Sequence, residues 1–174
     1  MPADKPSLYI DSLASPLGEM LVVVDEQQRL RALGWTDLED RLQRQLAAAY
    51  GSSRVLRPRP ASAAIREALH GYLEGKLDAI DAIPVETAGT PFQRAVWEEL
   101  RRIPAGTTLS YRDLALRIGR PKAVRAVGHA NGANLICVVV PCHRLVGSDG
   151  SLTGYGGGLH RKRWLLDHEQ ARKV

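Results

Sequence analysis

The sequence predicts an α+β fold, with a small α/β half followed by a mainly helical half. Short apolar runs bounded by turn residues fill residues 8–35, which is typical of strands. Residues 89–130 instead show short helical segments separated by glycine and proline. The 174 residues, of which 44% are hydrophobic and 25% charged, suffice for a folded core. We therefore expect two domains, residues 1–88 and 89–174.

The first half predicts a small sheet with two helices. Three apolar runs indicate strands, at residues 8–10, 20–24 and 30–35. Leucine and alanine recur on one side of two further segments, which predicts helices at residues 37–50 and 61–73. The remaining segments are expected to be a loop at residues 51–60 and an extended stretch at residues 79–86. No motif in this half indicates a catalytic or binding function, so we expect it to be a structural scaffold.

The second half predicts four helices. Thr90 is a suitable N-cap, and Pro91 suits the first helical position, so a helix is expected over residues 92–102. Ser110 is expected to cap the next helix. The remaining helices are predicted at residues 111–118, 122–130 and 159–170. Two short helices joined by a tight turn that contains glycine, at residues 119–121, indicate a helix-turn-helix.

Charge and cysteine content limit the classes of function. The net charge of +5 permits a nucleic-acid partner without requiring one. No apolar run approaches the roughly 20 residues that cross a bilayer, and the first residues lack a secretory signal, so we expect a cytoplasmic protein. Only Cys137 and Cys142 are present, which argues against a disulfide scaffold or a cysteine zinc site.

The second helix of the predicted helix-turn-helix carries unusually small side chains, at Ala123, Ala126, Gly128 and Ala130. Readers of base edges in the major groove usually use long polar side chains. Small residues instead let a helix backbone approach a surface closely, as the narrow minor groove would require. They also serve close packing between helices, and the residues alone favour this second explanation.

Cys142 is the candidate nucleophile. The apolar run 135–140 predicts a buried strand that Pro141 ends, which places Cys142 at the exit of the strand. A cysteine reacts as its thiolate, and the adjacent His143 and Arg144 are groups that favour this form. The alternative is an inert core cysteine. Cys137, in the middle of the run, is expected to be such a core residue.

Several motifs together resemble those of the O6-alkylguanine-DNA alkyltransferases, in their compact bacterial form without a zinc-bearing domain. The resemblance is strongest over residues 89–169 and extends to the whole chain. It implies a ribonuclease-H-like first domain and a helix-turn-helix second domain. The motifs that carry it are Thr90-Pro91-Phe92-Gln93, Arg125-Ala126-Val127-Gly128, Asn131-Gly132-Ala133-Asn134, Pro141-Cys142-His143-Arg144-Leu145, Gly154-Tyr155-Gly156-Gly157-Gly158 and Leu165-Leu166-Asp167-His168-Glu169.

The resemblance implies five catalytic roles. Cys142 is the alkyl acceptor. His143 removes the thiol proton through a water molecule, and Glu169 orients His143, as in a catalytic triad built on a thiol. Asn134 braces the turn that carries the cysteine. Tyr111 donates a proton to the purine as the leaving oxygen gains charge.

The resemblance also implies contacts to DNA and to the target base. Arg125 enters the base stack in place of a nucleotide that is flipped out of the duplex. The residues implied in DNA binding are Arg125, Ala126, Gly128, Ala130, Tyr111 and Thr107. The base pocket is implied to contain Tyr155, Gly156 and Leu145.

The implied function is repair of DNA by transfer of the alkyl group from O6-alkylguanine, and from O4-alkylthymine, to Cys142. Double-stranded DNA is the implied partner, bound through its minor groove by a monomer, with side-by-side binding of several copies possible. No cofactor and no metal are expected. A thioether has no carbonyl that water could attack, so each molecule is expected to react once.

Two positions depart from the pattern of the family. Leu135 follows Asn134 where many members have proline, which leaves the backbone freer at that turn. Gly156 stands where some relatives carry a hydroxyl residue. We expect the glycine to widen the pocket and to admit bulkier O6 adducts.

Three other functions compete with alkyl transfer. A protein that senses lesions without repairing them would lack the acceptor cysteine, whereas Cys142 is present. A cysteine hydrolase that uses Cys142 and His143 would turn over esters and would not need Arg125. A plain DNA-binding module would not depend on Cys142 for its effect.

Overall fold

The computed structural model describes residues 5–171 and contains a four-stranded sheet in its first half. The strands are β1 Leu8–Leu13, β2 Met20–Val24, β3 Leu30–Trp35 and β4 Leu56–Pro58. Their order is β3-β2-β1-β4. Strands β1 to β3 pair antiparallel, and β4 runs parallel to β1. The first three strands confirm the prediction, whereas β4 lies in a segment predicted to be a loop.

The central strand β2 is buried along its whole length because apolar side chains cover both faces of the sheet. Met20 and Val22 belong to one apolar cluster, while Leu21 and Val23, pointing the other way, belong to a second. Helix α1, Glu39–Tyr50, covers the second cluster. Helix α2, Ala63–Leu73, packs with the first cluster through residues such as Leu69 and Tyr72.

The second half contains the four expected helices, which are α3 Pro91–Arg101, α4 Tyr111–Arg117, α5 Val124–Gly132 and α6 Leu159–Ala171. Thr90 and Gln93 form a reciprocal capping box at α3, with Pro91 at its start. The Ser110 side chain accepts a hydrogen bond from the Asp113 backbone at the start of α4. Two-residue strands β5, Leu109–Ser110, and β6, Leu145–Val146, pair in parallel between them.

One predicted extended segment is wrong in part and a second is wrong. Residues 79–86 begin with the 3-10 helix Ala79–Ala82, anchored by the buried Ile80, and only their end is extended, where Val85 forms a bridge with Leu30. The apolar run 135–140 is not a strand: Ile136 forms one bridge with Leu33, and a tight turn follows in which Val138 has φ 72°. Turn hydrogen bonds, such as Val139 N to the Cys137 carbonyl at 2.8 Å, replace the strand ladder.

The two halves share one apolar cluster, which contains Val22 and Trp35 of the first half and Val127, Cys142 and Leu165 of the second. The division at residue 88 stays a prediction. Among residues 5–171, the structure has no helix with the length and apolar character needed to cross a membrane.

Candidate active site

Cys142 begins a short 3-10 helix, Cys142–Arg144, directly after Pro141. Its side chain is 4% exposed and lines a cavity of about 370 Å³, which is large enough for a nucleobase. Helices α1, α4 and α5 and the glycine-rich loop around residue 155 form the walls. The other lining residues are Arg41, Tyr111, Gly128, Asn131, Gly132, Gly154, Tyr155 and Gly156.

Asn134 holds the turn that leads to Cys142. Its amide nitrogen donates to the carbonyls of Val140 at 2.9 Å and Ile136 at 3.3 Å, and its oxygen accepts from the Ile136 backbone at 2.9 Å. From α5, the amide of Asn131 donates to the Cys142 carbonyl at 3.4 Å. Two buried asparagines therefore determine the position of the cysteine backbone.

The surroundings of Cys142 favour its thiolate. A hydrogen bond from the Cys137 thiol lowers the pKa of Cys142, and this effect outweighs the opposing effect of burial. The Asn134 amide and the positive charge of Lys162 lower the pKa further. A cysteine with a lowered pKa beside a cavity is the arrangement expected of a nucleophile.

His143 is completely buried and is paired with Glu169 of α6. The distance between Nε2 of His143 and Oε1 of Glu169 is 2.7 Å. Because a carboxylate only accepts hydrogen bonds, Nε2 carries the proton and Nδ1 presents a lone pair. Within residues 5–171, this Nδ1 has no hydrogen-bond partner. His143 is therefore arranged as a base.

The charges in this cluster are set by burial and by pairing. Burial alone would raise the pKa of Glu169, but hydrogen bonds from His143 and Arg144, together with the positive charge of Arg144, lower it below its usual range. Arg144 donates from Nη2 to Glu169 at 2.8 Å, and the Tyr72 hydroxyl donates at 2.8 Å. Burial lowers the pKa of His143 despite the opposing effect of Glu169, which keeps the imidazole neutral near pH 7.

Tyr111 is half-buried at the start of α4 and lines the same cavity. Its hydroxyl lies 2.9 Å from the Thr153 hydroxyl. Its ring is 3.9 Å from the position that a side chain on Gly128 would take, so the small residue on α5 accommodates the ring. A phenol is thus available in the wall of the cavity, where its hydroxyl contacts the start of the glycine-rich loop.

Helix α5 exposes only part of the small-residue face that the sequence indicates. Arg125 and Ala126 are exposed, and Gly128 is half-buried. Ala130 is 2% exposed, and its carbonyl accepts a hydrogen bond from Trp97 Nε1 at 2.8 Å. This corrects the expectation that Ala130 contacts DNA, because its small side chain allows helix packing. Thr107 is half-buried before β5, with its hydroxyl donating to the Pro104 carbonyl at 2.7 Å.

The expected base pocket also needs one correction. Tyr155 and Gly156 line the cavity, whereas Leu145 is completely buried in the core and does not. Its position in β6 directs its side chain inward, while its carbonyl accepts from Lys162 Nζ at 2.7 Å. A Cβ added at Gly156 would lie 3.0 Å from the Arg41 guanidinium, so Arg41 fills the space that we expected the glycine to leave open.

The sequence does not indicate that Arg41, Tyr72 and Lys162 belong to the site. It also does not indicate the hydrogen bond between Arg144 and Glu169. Lys162 is completely buried and donates to the Thr153 carbonyl at 2.8 Å. The helical spacing could have indicated the burial of Lys162, since residues 162, 165 and 169 share one face of the helix. Arg41 and Tyr72 lie far away in the chain and gave no such signal.

Comparison with known proteins gives the family. Residues 91–171 match the family model described as 6-O-methylguanine DNA methyltransferase, DNA binding domain. A methylated-DNA–protein-cysteine methyltransferase of Salmonella typhimurium is 49% identical over 165 residues, 93% of this chain and 95% of that protein. The crystal structure of Mycobacterium tuberculosis OGT in complex with DNA has a TM-score of 0.79 at 36% identity, over 94% of each chain. The chain belongs to the methylated-DNA–protein-cysteine methyltransferase family.

Proposed function

We propose that this protein repairs duplex DNA by transferring the alkyl group of O6-alkylguanine, and of O4-alkylthymine, irreversibly to Cys142. The observation that carries the proposal is the buried His143–Glu169 pair, with the free Nδ1 of His143, beside a cysteine whose pKa is lowered. Membership of the methyltransferase family supplies the reaction class, and a cavity lined by Cys142 supports entry of an extruded base.

In the proposed step, the Cys142 thiol gives its proton, through a water molecule, to Nδ1 of His143. The thiolate then attacks the alkyl carbon, so that an S–C bond forms and the C–O6 bond breaks. The electron pair of the broken bond stays on the guanine. Tyr111 donates a proton to the purine ring as this charge develops. Glu169 keeps the imidazole oriented and stabilises its charged form.

The protein binds DNA, as its DNA-binding family model indicates. We propose that the exposed face of α5 enters the minor groove, with Ala126 and Gly128 allowing close approach and Arg125 replacing the flipped nucleotide. Flipping costs a few kcal/mol, which an inserted side chain partly offsets. We further propose that one monomer acts per lesion and that the protein is cytoplasmic, while adjacent binding of several copies stays a prediction.

The test is intact-protein and peptide mass spectrometry after mixing with a duplex that contains one O6-methylguanine. We expect one methyl group on Cys142, at most one per protein molecule, and none on the Cys142→Ser variant. Cys137→Ser is the matched control for a second buried thiol and should still be methylated at Cys142. Methylation at another residue, or several turnovers per molecule, would overturn the proposal.

A further inference from the structure

The first half of the chain contributes a phenol to the buried groups around His143, although the transfer step described above does not use it. Tyr72 lies in the last turn of α2, far from Glu169 in the chain, and both side chains are completely buried. The Tyr72 hydroxyl donates a hydrogen bond to Oε1 of Glu169 at 2.8 Å. A residue outside the half that carries Cys142 therefore contacts the carboxylate that pairs with His143.

Tyr72 and His143 donate to the same oxygen atom of Glu169. Nε2 of His143 lies 2.7 Å from Oε1, and Nη2 of Arg144 donates to this oxygen at 2.8 Å. The other oxygen, Oε2, accepts from Nε of Arg144 at 3.1 Å. Each hydrogen bond to a carboxylate stabilises its negative charge. The Tyr72 hydroxyl therefore weakens the attraction of Oε1 for the His143 proton.

Helix α6 holds Tyr72 at two points, through the consecutive residues His168 and Glu169. Glu169 accepts from the hydroxyl, and Nε2 of His168 donates to the Tyr72 carbonyl at 2.7 Å, because a carbonyl oxygen only accepts. The His168 ring packs edge-on against the Tyr72 ring, with 5.3 Å between the ring centres, and stacks on Trp164 at 4.7 Å. These contacts give the Tyr72 hydroxyl a defined direction.

The Tyr72 phenol stays protonated near neutral pH and so remains a donor. Burial raises the pKa of Tyr72 well above its usual value, and the negative charge of Glu169 raises it further. The other charged groups around the imidazole come from two elements. Burial lowers the pKa of His143 and Glu169 raises it, while the positive charges of Arg144 and Lys162 lower it further. Removing the Tyr72 hydroxyl leaves all of these groups in place.

We propose that Tyr72 is a positioning residue for the base: its hydroxyl holds Oε1 of Glu169 against His143 and limits how strongly this oxygen attracts the imidazole proton. His143 then stays neutral, and able to accept the Cys142 proton, down to a lower pH. The proposal rests on the proposed function, in which His143 is the base. It also assigns a contact with the site to the first half of the chain, which was expected to be only a scaffold.

The experiment measures single-turnover methyl transfer from an O6-methylguanine duplex across a pH series for wild type, Tyr72→Phe and Tyr50→Phe. Tyr72→Phe removes the donor and keeps the buried ring. The acid limb of its profile, along which His143 becomes protonated, should move to a higher pH by about 0.5 to 1, which slows transfer roughly three- to tenfold below the limb and little above it. A purely structural role would slow transfer equally at every pH.

Tyr50→Phe is the matched control. It removes another buried phenol hydroxyl of the first half, which accepts a hydrogen bond from Arg31 at 3.3 Å and does not contact Glu169. Its pH profile should keep the wild-type shape. The same displacement of the acid limb in both variants would overturn the proposal, because it would then not depend on the bond to Glu169.

A direct readout is proton NMR of the imidazole at neutral pH, with the Nε2 proton of His143 assigned by its loss in His143→Gln. This resonance should move downfield in Tyr72→Phe, because Oε1 loses a competing donor and its hydrogen bond to His143 strengthens. An unchanged resonance, or a pH profile of unchanged shape, overturns the proposal.

Wild type alone provides a second measurement if Tyr72→Phe does not fold. The Tyr72 hydroxyl proton and the Nε2 proton of His143 point at the same oxygen, so they should show a nuclear Overhauser contact, and its absence would also overturn the proposal. Failure of the proposed function is distinct, since wild type would then not be methylated at Cys142, whereas the NMR measurements do not depend on methylation.

Discussion

At the scale of single residues, Glu169 shows how burial and pairing act together. This carboxylate is completely buried, yet it accepts hydrogen bonds from Tyr72, His143 and Arg144. A buried ion pair contributes little net stability compared with apolar packing, but removing one partner leaves an uncompensated charge. These hydrogen bonds fix the orientation of the His143 imidazole. Replacing one of the partners should therefore lower the free energy of unfolding.

We expect acid to destabilise the protein through this cluster. A pKa of Glu169 below its unfolded value of 4.5 contributes stability that is present above about pH 4.5 and is lost as the pH falls. The lowered pKa of His143 also reduces the stability as the pH falls below about 6.5. The reason is that the imidazole takes up a proton at a higher pH in the unfolded protein than in the folded protein.

The measurement is urea unfolding of wild type and Glu169→Gln over a pH series from neutral to acid. The variant should be less stable at neutral pH, by about 3–5 kcal/mol for a broken buried pair, and should lose less on further acidification. Glu67→Gln, on the exposed side of α2, is the matched control and should follow the wild-type curve. Parallel curves for wild type and Glu169→Gln would contradict the assignment.

At the scale of elements, the turn over residues 134–142 is the feature that positions Cys142, the proposed nucleophile. Its apolar composition predicts a strand, because valine and isoleucine favour strands and the run is bounded by proline. Asn134 instead supplies three hydrogen bonds that close the chain into a turn. An asparagine side chain competes with a strand ladder for backbone groups, and in this segment it prevails.

We expect Asn134→Ala to disturb this turn. The substitution leaves the buried Ile136 backbone nitrogen without a partner, which costs about 1–3 kcal/mol. The Val140 carbonyl loses one of its two donors but keeps Cys142 N, so this second loss adds about 0.5–1.5 kcal/mol. The free energy of unfolding should fall by roughly 2–4 kcal/mol, and methyl transfer should slow because Cys142 is displaced.

Thr90→Ala is the control for Asn134→Ala. It removes the capping box of α3 at a cost of about 1 kcal/mol, without touching the turn. Unfolding and single-turnover transfer should be measured on both variants at a temperature where both are folded. Unchanged transfer by Asn134→Ala would show that the asparagine does not position the cysteine.

At the scale of the whole molecule, Arg161 connects α6 with the first half of the chain. Its guanidinium donates to the Leu17 carbonyl at 2.9 Å and to Asp37 at 2.8 Å, and it lies 4.6 Å from the centre of the Trp35 ring. It also donates to the Gly157 carbonyl at 3.1 Å, in the loop that borders the cavity. One buried side chain thus links both halves and the pocket wall.

We expect Arg161→Ala to lower the free energy of unfolding by about 2–4 kcal/mol, because buried carbonyls lose a charged donor. Transfer should also slow as the loop at Gly157 loses its anchor. Asp37→Asn is the matched control: Asp37 is 57% exposed, so its ion pair contributes no more than about 1 kcal/mol. Denaturant unfolding measures the free energy of unfolding of both variants. Equal losses of stability in Arg161→Ala and Asp37→Asn would contradict the prediction.

The contact of Arg41 with Gly156 gives a further expectation about adduct size. A serine at Gly156 would bring its Cβ within 3.0 Å of the guanidinium, so one of the two side chains must move. Gly156→Ser should therefore slow benzyl transfer from O6-benzylguanine duplex more than methyl transfer. Combining it with Arg41→Ala should restore benzyl transfer. If the single variant transfers both groups as wild type does, the residue at position 156 does not limit adduct size.

Much of the site was predictable because local motifs carry it. The Pro141-Cys142-His143-Arg144 run and the capped start of α3 are short-range patterns whose physical meaning is local. Arg41 and Tyr72 were not predictable, since a long-range contact leaves no periodic signal in the chain. Ala130 and Leu145 were assigned to surfaces from their motif positions, whereas the direction of their side chains depends on packing with neighbouring elements.

By itself, the sequence determined the α+β class and the capped helices of the second half, and it predicted Cys142 as the nucleophile and His143 as its base. Secondary-structure propensity, helix capping and the types of neighbouring residues act over a few residues, so they can be read from the sequence alone. The tertiary structure alone decided the turn at Cys142, the burial of His143 with Glu169, and the position of Arg41 in the wall of the cavity. These features depend on which distant groups share the interior, where desolvation and pairing set charge and shape.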